Sequence, residues 1–373
     1  MARKQPQDYI LLLSVVVLVI IGIIMVFSSS YSYTLVKMED GYYYLKRVLI
    51  WAGVGTFAMV FFSKIDYWRW SKYANFIFIL SIILLILVLT PLGIVRNDAR
   101  RWLGAGKTLT FMPSDVAKLA SIIFISTSIS RKKEKMQNFI QGFLPYLLIM
   151  ALYFGLIFEQ PDFSTAFVLV VMIFIMVFVG GMKFSHFVGL ATTGLLGLAG
   201  MLTYIFFTGK DYKAKRITSF LDPWQDSSDT GYQVIQSLLA LGSGGIFGRG
   251  LGRSVQKHFY LPEPQNDFIF AIIGEELGFV GGAIVIILYA ILIWRGIRIA
   301  INAPDVQGCV MATGVIGMIA VQVIINIAVA TSSIPVTGMG LPFISYGGSS
   351  LVVFMASIGI LLNISKHISL DRS

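Results

Sequence analysis

Ionisable side chains at the ends of apolar segments are the residues of this chain best suited to chemistry. Asp267 lies where a polar, proline-bearing loop becomes an apolar helix at about residue 268. A carboxylate at such a boundary is expected to be half solvated and fixed in direction by the helix that it caps. A carboxylate in that position can serve as a general base, so we expect the rest of the chain to bring a substrate to Asp267.

A second candidate is the cationic segment 95–112, which contains Arg100 and Arg101. Arginine binds phosphate oxygens in a bidentate geometry, so this segment could bind a phosphate or pyrophosphate. The alternative is a solvated loop whose arginines contact lipid headgroups.

Lys118 lies one turn into an otherwise apolar helix, where an ammonium group requires an anionic partner. Asp115, three residues earlier, is on the same helix face and could form a local pair. Asp267 is the alternative partner at similar depth.

Three further acids are interpreted as structural. Asp162 begins an apolar segment and is expected to cap its helix. Glu275 and Glu276 follow Asp267 by two turns and are expected to pair with a cation or cap polar backbone. Consecutive residues lie about 100° apart on a helix, so we expect these two not to face one cavity.

The stretch 335–350 combines prolines, glycines and hydroxyl groups next to an apolar segment. This composition predicts irregular backbone at membrane depth, packed against protein or a wet cavity. Ser345 and Tyr346 could bind a sugar or a phosphate there.

These residues belong to a chain that is built for a membrane. Of its 373 residues, 56% are hydrophobic and only 13% are charged. Apolar runs of spanning length recur, so the sequence predicts an all-α polytopic membrane protein with about ten transmembrane helices and a single membrane domain over 1–373. The predicted spans are 9–27, 45–62, 74–94, 113–129, 141–158, 163–181, 185–208, 268–294, 307–331 and 345–365.

Charge in the loops predicts the orientation. The N-terminus and the loops 63–73, 130–140 and 295–305 are basic, which places them and both chain termini in the cytoplasm. The long connection 209–267, between the seventh and eighth spans, then lies outside the cell as an extracytoplasmic loop. A loop of that size is usually functional, and its segment 234–241 could form a short interfacial helix.

Composition also limits the class of function. Cys309 is the only cysteine, which excludes an internal disulfide, and the three histidines show no metal-ligand spacing. The net charge of +10 suits anionic lipid or an anionic substrate. Because no basic patch is interleaved with aromatic residues, we expect no nucleic-acid partner.

Seven motifs together carry a resemblance over nearly the whole chain. The chain resembles the SEDS family (shape, elongation, division and sporulation), and most closely its FtsW/SpoVE branch. The motifs are RRWLG (100–104), PSDVAKL (113–119), QPDFSTA (160–166), FLDPW (220–224), GYQVIQSLLALGSGGIFGRGLG (231–252), YLPEPQNDFIFAIIGEELG (260–278) and GLPFISYGGSS (340–350).

The resemblance implies a bacterial peptidoglycan glycosyltransferase in the cytoplasmic membrane. Such an enzyme polymerises lipid II, a disaccharide-pentapeptide on undecaprenyl pyrophosphate, with inversion and beside a class B penicillin-binding protein and other division proteins. It places the catalytic aspartate on Asp267, and the family's motif residues on Glu263 and Lys118. By this reading Lys118 keeps Asp267 ionised, while Arg100, Arg101 and Arg216 neutralise the pyrophosphate, with or without a divalent cation such as Mg²⁺ or Mn²⁺. No organic cofactor is expected.

Two other classes of function are compatible with the same residues. A lipid II flippase would also need intramembrane charge and a wet cavity. A scaffold that recruits the penicillin-binding protein would need no chemistry. Ionic residues are concentrated towards one face of the predicted bundle, and this asymmetry favours an enzyme.

Overall fold

Long apolar helices make up most of the structure, a computed structural model that describes residues 7–96, 99–105, 109–208, 223–224 and 230–368. The helices are α1 (Tyr9–Met38), α2 (Tyr43–Lys64), α3 (Trp70–Leu89), α4 (Pro113–Lys132), α5 (Leu144–Phe158), α6 (Phe163–Val179), α7 (Phe184–Thr208), α8 (Thr230–Gly244), α9 (Ile269–Ile301), α10 (Val306–Ala330) and α11 (Gly348–Ser365).

Each predicted span coincides with one helix. By length and composition, seven helices in the described residues can cross a membrane: α1, α2, α3, α5, α9, α10 and α11, with α3 and α5 counted together with their adjoining helical turns. Of the others, α6 is shorter, and α4 contains buried ionic and hydroxyl side chains. The chain is therefore a multi-pass helical membrane protein.

Several helix boundaries differ from the sequence prediction: α3 ends at Leu89 instead of residue 94, and α9 ends at Ile301 instead of residue 294. Two further differences concern the end of α1 and the start of α11. The first helix runs eleven residues beyond the predicted end, from residue 27 to Met38, and the last begins at Gly348 instead of residue 345. In both places the hydropathy pattern reports membrane depth, whereas the helix itself ends where its backbone hydrogen bonds end.

The chain is mostly helical, as predicted, but the cationic segment 95–112 is not a plain loop. Its described residues form a three-stranded antiparallel sheet of β1 (Ile94–Arg96), β2 (Ala99–Ala105) and β3 (Leu109–Phe111). Ile94 pairs with Trp102, and Leu103 pairs with Phe111. A sheet outside the helices can satisfy its edge groups with water, so the segment needs no helix to satisfy its backbone.

The core is built around α10, which packs against α4, α6 and α9. On the periphery, α1 packs on α9, α2 on α11, and α3 on α4. The contacts are apolar, and fully buried Tyr153, Met172 and Ile319 are typical of them. Helices in a membrane associate mainly through such van der Waals packing and a few interhelical hydrogen bonds.

A break divides α9 at Gly278, whose φ of 69° and ψ of −167° are not helical. The segment after α8 packs closely against this break, and Phe279 N and Val280 N donate to the carbonyls of Gly245 and Ile246. A Cβ atom at Gly244 would overlap the carbonyl oxygen of Gly274. Gly244 and Gly248 thus serve close backbone approach. The predicted short helix within 209–267 is confirmed, and it extends over all of α8.

The start of α1 and the end of α11 lie at one end of the bundle, which we call the terminal end. Asp8 caps α1, its backbone N–H donates to Ser365 Oγ (3.3 Å), and its carboxylate pairs with Arg295 (2.6 Å). At this end Asp305 also accepts from Tyr67 Oη (2.7 Å). Since α9 runs from residue 269 to its Arg295 contact here, Asp267 lies at the opposite end, which we call the site end.

Candidate functional site

Asp267 is held in place through its backbone. Its carbonyl oxygen accepts from Asn326 Nδ2 (2.9 Å), and the same amide also donates to the carbonyl of Met339 (2.7 Å). Asn326 is fully buried in α10. One side chain therefore fixes Asp267 against the irregular stretch that follows α10.

The same irregular stretch fixes the residues before Asp267. Ser345 Oγ donates to the carbonyl of Asn266 (2.5 Å), and Tyr346 N donates to the carbonyl of Gln265 (2.9 Å). Ser345 Oγ also accepts from Leu341 N (2.6 Å). The Ser345 hydroxyl is thus engaged in holding the loop, which is a different task from the predicted sugar or phosphate contact. Irregular backbone in 335–347 is confirmed.

The expectation that Asp267 caps its helix is wrong. The helix begins at Ile269, and Phe268 is the capping residue, with no side-chain hydrogen bond. Within the described part of the chain, no donor binds the Asp267 carboxylate. It faces the glycine turn beyond α10, where a Cβ atom on Gly338 would lie 3.7 Å from Oδ2. A half-buried carboxylate without a hydrogen bond retains its capacity to accept a proton from a bound hydroxyl.

The surroundings of Asp267 raise its pKa to about 7. Burial is the largest cause, and the negative charges of Glu263 and Asp162 act in the same direction. Arg101 lowers the pKa through its positive charge. A carboxylate with a pKa near neutrality is matched to general-base work at physiological pH.

Glu263 lies one turn before Asp267 in a tight loop. Its backbone adopts the left-handed conformation (φ 49°), and its Oε2 accepts from Gln265 Nε2 (3.0 Å) and Asn266 Nδ2 (2.8 Å). Desolvation raises the pKa of the Glu263 carboxyl, and the charge of Lys37 lowers it. The loop therefore brings a second acid close enough to act on Asp267.

The two arginines of β2 have different tasks. Arg101 donates from Nε to the carbonyl of Gln160 (3.2 Å) and also binds the carbonyl of Pro161, directly before Asp162. Arg100 donates to the carbonyl of Thr90 (3.0 Å) at the end of α3. Arg101 is consequently the cation that faces the acidic site, whereas Arg100 fastens the sheet to a helix end.

Lys118 pairs with Asp115 (2.9 Å), and both side chains are buried. Ser349 Oγ donates to the same carboxylate (3.0 Å) and so joins the starts of α4 and α11. The local pair is confirmed, and the predicted pairing of Lys118 with Asp267 is wrong. The i, i+3 spacing places Asp115 and Lys118 on one helix face, where their side chains reach each other within the same helix.

Asp162 caps α6 as predicted, with Oδ1 accepting from Thr165 N (3.2 Å). Next to it, Ser164 Oγ donates to the carbonyl of Thr337 (2.7 Å). These contacts fasten the start of α6 to the stretch that also holds Asp267. Arg216 lies outside the described residues.

Glu275 and Glu276 are fully buried, and they pair with cations and polar backbone, as predicted. Glu275 accepts from Ser254 Oγ (2.5 Å) and Val255 N (2.9 Å), and Glu276 accepts from Gly252 N (3.0 Å) and Ser254 N (3.4 Å). Both carboxylates bind the one loop, and the expectation that they do not face one cavity stays a prediction. Long glutamate side chains beside the break in α9 can converge where ideal helix geometry would separate them.

Cations complete both glutamate contacts. Lys257 Nζ lies 2.8 Å from Glu276 Oε1, and Arg249 lies 3.7 Å from Glu275 Oε1. Ser28 of α1 donates to Glu276 as well (2.7 Å). Charges at this depth are expected to be paired in this way.

No group of three His, Cys, Asp or Glu residues that could hold a metal ion occurs in the described ranges. Asp267, Glu263 and Asp162 influence one another electrostatically but do not form such a cluster. Mg²⁺ often binds through only one or two carboxylates and completes its shell with substrate phosphate oxygens. The acids at the site are compatible with that mode of binding.

Sequence reasoning missed Asn326 and its neighbour Gln322, which donates to the carbonyl of Gly340 (2.9 Å). Both are buried amides in the apolar helix α10. Their spacing of four residues places them on one face, and two amides on one face of a membrane helix indicate a polar contact. This i, i+4 pair of amides could have been identified from the sequence as a polar contact within the bundle.

A family model described as cell cycle protein, FtsW/RodA/SpoVE, matches residues 9–370. The chain belongs to this family. It is 46% identical to stage V sporulation protein E of Bacillus subtilis (strain 168), covering 98% of each chain. It is 40% identical to a probable peptidoglycan glycosyltransferase FtsW of Geobacter sp. (strain M18), over 98% of this chain and 99% of that one.

Solved structures of the FtsW/RodA/SpoVE type share the whole fold. One is a chain from a peptidoglycan synthase complex solved to describe the structural coordination of polymerization and crosslinking. It has a TM-score of 0.79 and 29% identity over 98% of this chain and 99% of that one. The rod shape determining protein RodA of Thermus thermophilus has a TM-score of 0.71 and 26% identity over 98% of both chains. The predicted SEDS membership and polytopic fold are confirmed.

Proposed function

We propose that this protein is a peptidoglycan glycosyltransferase that polymerises lipid II, with Asp267 as its general base. The observation that carries the proposal is the half-buried Asp267 carboxylate, which accepts no hydrogen bond from the described residues and has a pKa of about 7. A base of this strength is partly ionised at neutral pH and remains strong enough to accept a proton from an alcohol as it attacks. The names of the relatives support the same activity.

The reaction is a single displacement at the anomeric carbon of the donor sugar. The Asp267 carboxylate takes the proton of the acceptor's 4-hydroxyl as its oxygen forms the new glycosidic bond. The bond to the pyrophosphate breaks on the opposite side, so an α-linked donor yields a β-linked polymer. One carboxylate suffices, since no covalent enzyme intermediate forms.

Charge on the leaving pyrophosphate is neutralised by Arg101 and by Arg216, on the long connection outside the described residues. Arg101 is positioned for this by the bonds from its Nε and Nη2 to the carbonyls of Gln160 and Pro161, and its Nη1 binds no acceptor among the described residues. A divalent cation, Mg²⁺ or Mn²⁺, would be held by Glu263 together with pyrophosphate oxygens and would supply further neutralisation. Lys118 supports the start of α4 and does not act on the base.

The proposed setting is the outer face of the bacterial cytoplasmic membrane during septal wall synthesis. The site end is outside, both termini are in the cytoplasm, and lipid II enters laterally from the membrane. A class B penicillin-binding protein crosslinks the product, and other division proteins join the assembly. The basic loops at the terminal end support this orientation.

The decisive experiment uses the purified protein in liposomes that contain lipid II. Wild type should yield glycan polymer, and Asp267→Asn should yield none while folding normally. Asp162→Asn removes a nearby charge that raises the Asp267 pKa only as a minor cause and loses part of a helix cap, so it should retain polymer and serves as the matched control. Polymer from Asp267→Asn would exclude Asp267 as the base. Translocation of lipid II without polymer would support the alternative function of a lipid II flippase. The absence of both polymerisation and translocation would support the scaffold function.

A further inference from the structure

A cavity of ≈ 370 Å³ opens at the site end of α1, beside the loop that binds Glu275 and Glu276. None of the residues placed at the catalytic site lines it. It is lined by Ile24, Phe27, Ser28, Tyr31, Ser32, Tyr42, Leu251, Gly252 and Lys257. The cavity is therefore a separate feature of the molecule with its own chemistry.

One wall of the cavity is aromatic. Phe27 stacks on Tyr42 with ring centroids 5.7 Å apart, and Tyr31 meets both rings edge-on at 5.5 and 6.0 Å. Tyrosine at this level of a membrane protein combines an apolar ring with a hydroxyl that reaches the polar region. Such a wall suits a ligand that is part apolar and part polar.

The opposite wall is polar and carries positive charge. Lys257 Nζ contacts Glu276 Oε1 (2.8 Å) and Ser28 Oγ (3.2 Å), which leaves one of its three N–H groups for the cavity. The Glu276 carboxylate itself is fully buried. Arg253 follows the lining residue Gly252, is exposed, and forms no ion pair within the described part of the chain. The accessible charge beside the cavity is thus cationic.

The depth of the cavity matches the boundary of the hydrocarbon layer. Ser28 lies twenty residues after Asp8, the cap of α1 at the terminal end. At 1.5 Å per residue this is about 30 Å, the thickness of the hydrocarbon core. A ligand at Ser28 would therefore lie where lipid headgroups begin.

An exposed apolar stripe on α1 leads up to the cavity. Its members are spaced three or four residues apart, so they share one helix face: Leu13, Val16, Ile20 and Ile24. Surfaces that receive another transmembrane helix are usually rich in small residues. This stripe consists of large aliphatic side chains, which favours an acyl chain over a partner helix.

We propose that this cavity binds one anionic phospholipid. The phosphate lies between Lys257 and Arg253, the ester region packs against the aromatic wall, and one acyl chain follows the stripe on α1. The inference does not depend on the proposed function, since lipid binding is measured without catalysis.

The test is native mass spectrometry of the full-length protein, released from detergent after incubation with phosphatidylglycerol or with zwitterionic phosphatidylcholine. Wild type should retain one phosphatidylglycerol and little phosphatidylcholine. Ser32→Trp, which fills the cavity without touching the Glu276 network, should lose the bound lipid. Ile83→Trp, which places the same ring on the lipid-facing side of α3, should retain it. Equal retention by Ser32→Trp and wild type would overturn the proposal.

Arg253→Gln provides a second test, and because the residue is exposed we expect the variant to fold normally. This variant should still retain lipid but should lose the preference for phosphatidylglycerol over phosphatidylcholine. An unchanged preference would exclude the proposed phosphate position. Inorganic phosphate should not displace the lipid, because it lacks the acyl chain, and displacement by phosphate alone would show a simple anion site and overturn the assignment.

Discussion

At Asp267 the backbone and the side chain have separate tasks. The carbonyl is fixed by Asn326, and the preceding residues are fixed by Ser345 and by the backbone of Tyr346. The carboxylate takes no part in these contacts. The position of Asp267 is thereby determined by hydrogen bonds to the backbone, and the reactivity of its carboxylate by burial and nearby charges.

Asn326→Leu is expected to lower kcat for lipid II polymerisation by roughly 100-fold, since a shift of about 1 Å in a catalytic group can have that effect. KM should change little, because Asn326 is a positioning residue behind Asp267. The measurement is polymer formation against lipid II concentration.

Gln322→Leu is the matched control for this variant. It removes a buried amide one turn away on the same helix, whose partner is the Gly340 carbonyl and not Asp267. Both variants should lose stability on the order of 1–3 kcal/mol, which thermal unfolding would measure. Similar kcat for the two would contradict a positioning role for Asn326.

The pH dependence of polymerisation should report the surroundings of Asp267. A base works when deprotonated, so kcat should rise with pH and level off above about 7, the pKa of Asp267. Glu263→Gln removes a negative charge that raises this pKa, so the rise should shift to lower pH. Arg101→Gln removes a positive charge that lowers it, and the rise should shift to higher pH. Shifts in the same direction for both variants would be inconsistent with the electrostatics of the site.

Asp267 and Asp162 could be located from the sequence because each is an ionisable residue at the edge of an apolar run, and Arg101 because it lies in a short cationic segment. The sequence also offered the Lys118 partner correctly as Asp115, since i, i+3 contacts depend on helix geometry alone. It could not choose between Asp115 and Asp267, and it could not find the Asn326 contact. Both depend on which helices lie side by side, and a hydropathy pattern does not contain that information.

At the scale of elements, the first part of α9 is held by the loop 252–257, which packs beside it. Backbone amides of Gly252, Ser254 and Val255 bind the two buried glutamates, and Lys257 neutralises Glu276. The loop thus satisfies charges that the bilayer could not. It also fixes the direction in which α9 leaves Asp267.

Glu276→Gln is expected to destabilise the fold by about 3–5 kcal/mol, because it leaves the buried Lys257 ammonium without a counter-charge. The comparison is Ser28→Ala, which removes one hydrogen bond to the same carboxylate and should lose about 1 kcal/mol. Adding Lys257→Met to Glu276→Gln should restore part of the stability. Thermal unfolding in detergent measures all three, and equal losses for Glu276→Gln and Ser28→Ala would argue against a buried ion pair.

Helices were predicted well because a membrane-spanning run is a local property of the sequence. The β-sheet of the cationic segment and the break at Gly278 were not predicted. The sheet depends on pairing between short strands, and the break depends on close approach of the backbone after α8. Glycine in the sequence permits such an approach but does not identify the partner segment.

At the scale of the whole molecule, the hydrogen bond from Asp8 N to Ser365 Oγ joins the first and last helices at the terminal end. The start of α1 and the end of α11 therefore lie on the same side of the helix bundle. The basic loops of this end predict the cytoplasm.

Cysteine labelling can determine the side in a Cys309→Ser background. Val95→Cys, exposed in β1, should react with a membrane-impermeant maleimide in cells whose outer barrier has been removed and whose cytoplasmic membrane is intact. Lys135→Cys, in the turn after α4, should react only after the membrane is permeabilised. The opposite pattern would invert the proposed topology and place Asp267 in the cytoplasm.

Asp267 is held through hydrogen bonds to its backbone and not to its side chain, and this has a practical consequence. Since the surrounding loops do not use the carboxylate, replacing it should leave the shape of the pocket intact. An Asp267→Asn protein would then engage donor and acceptor together but stall before transfer. Such a variant is a substrate trap, suited to capturing the lipid-linked sugars in place for direct observation.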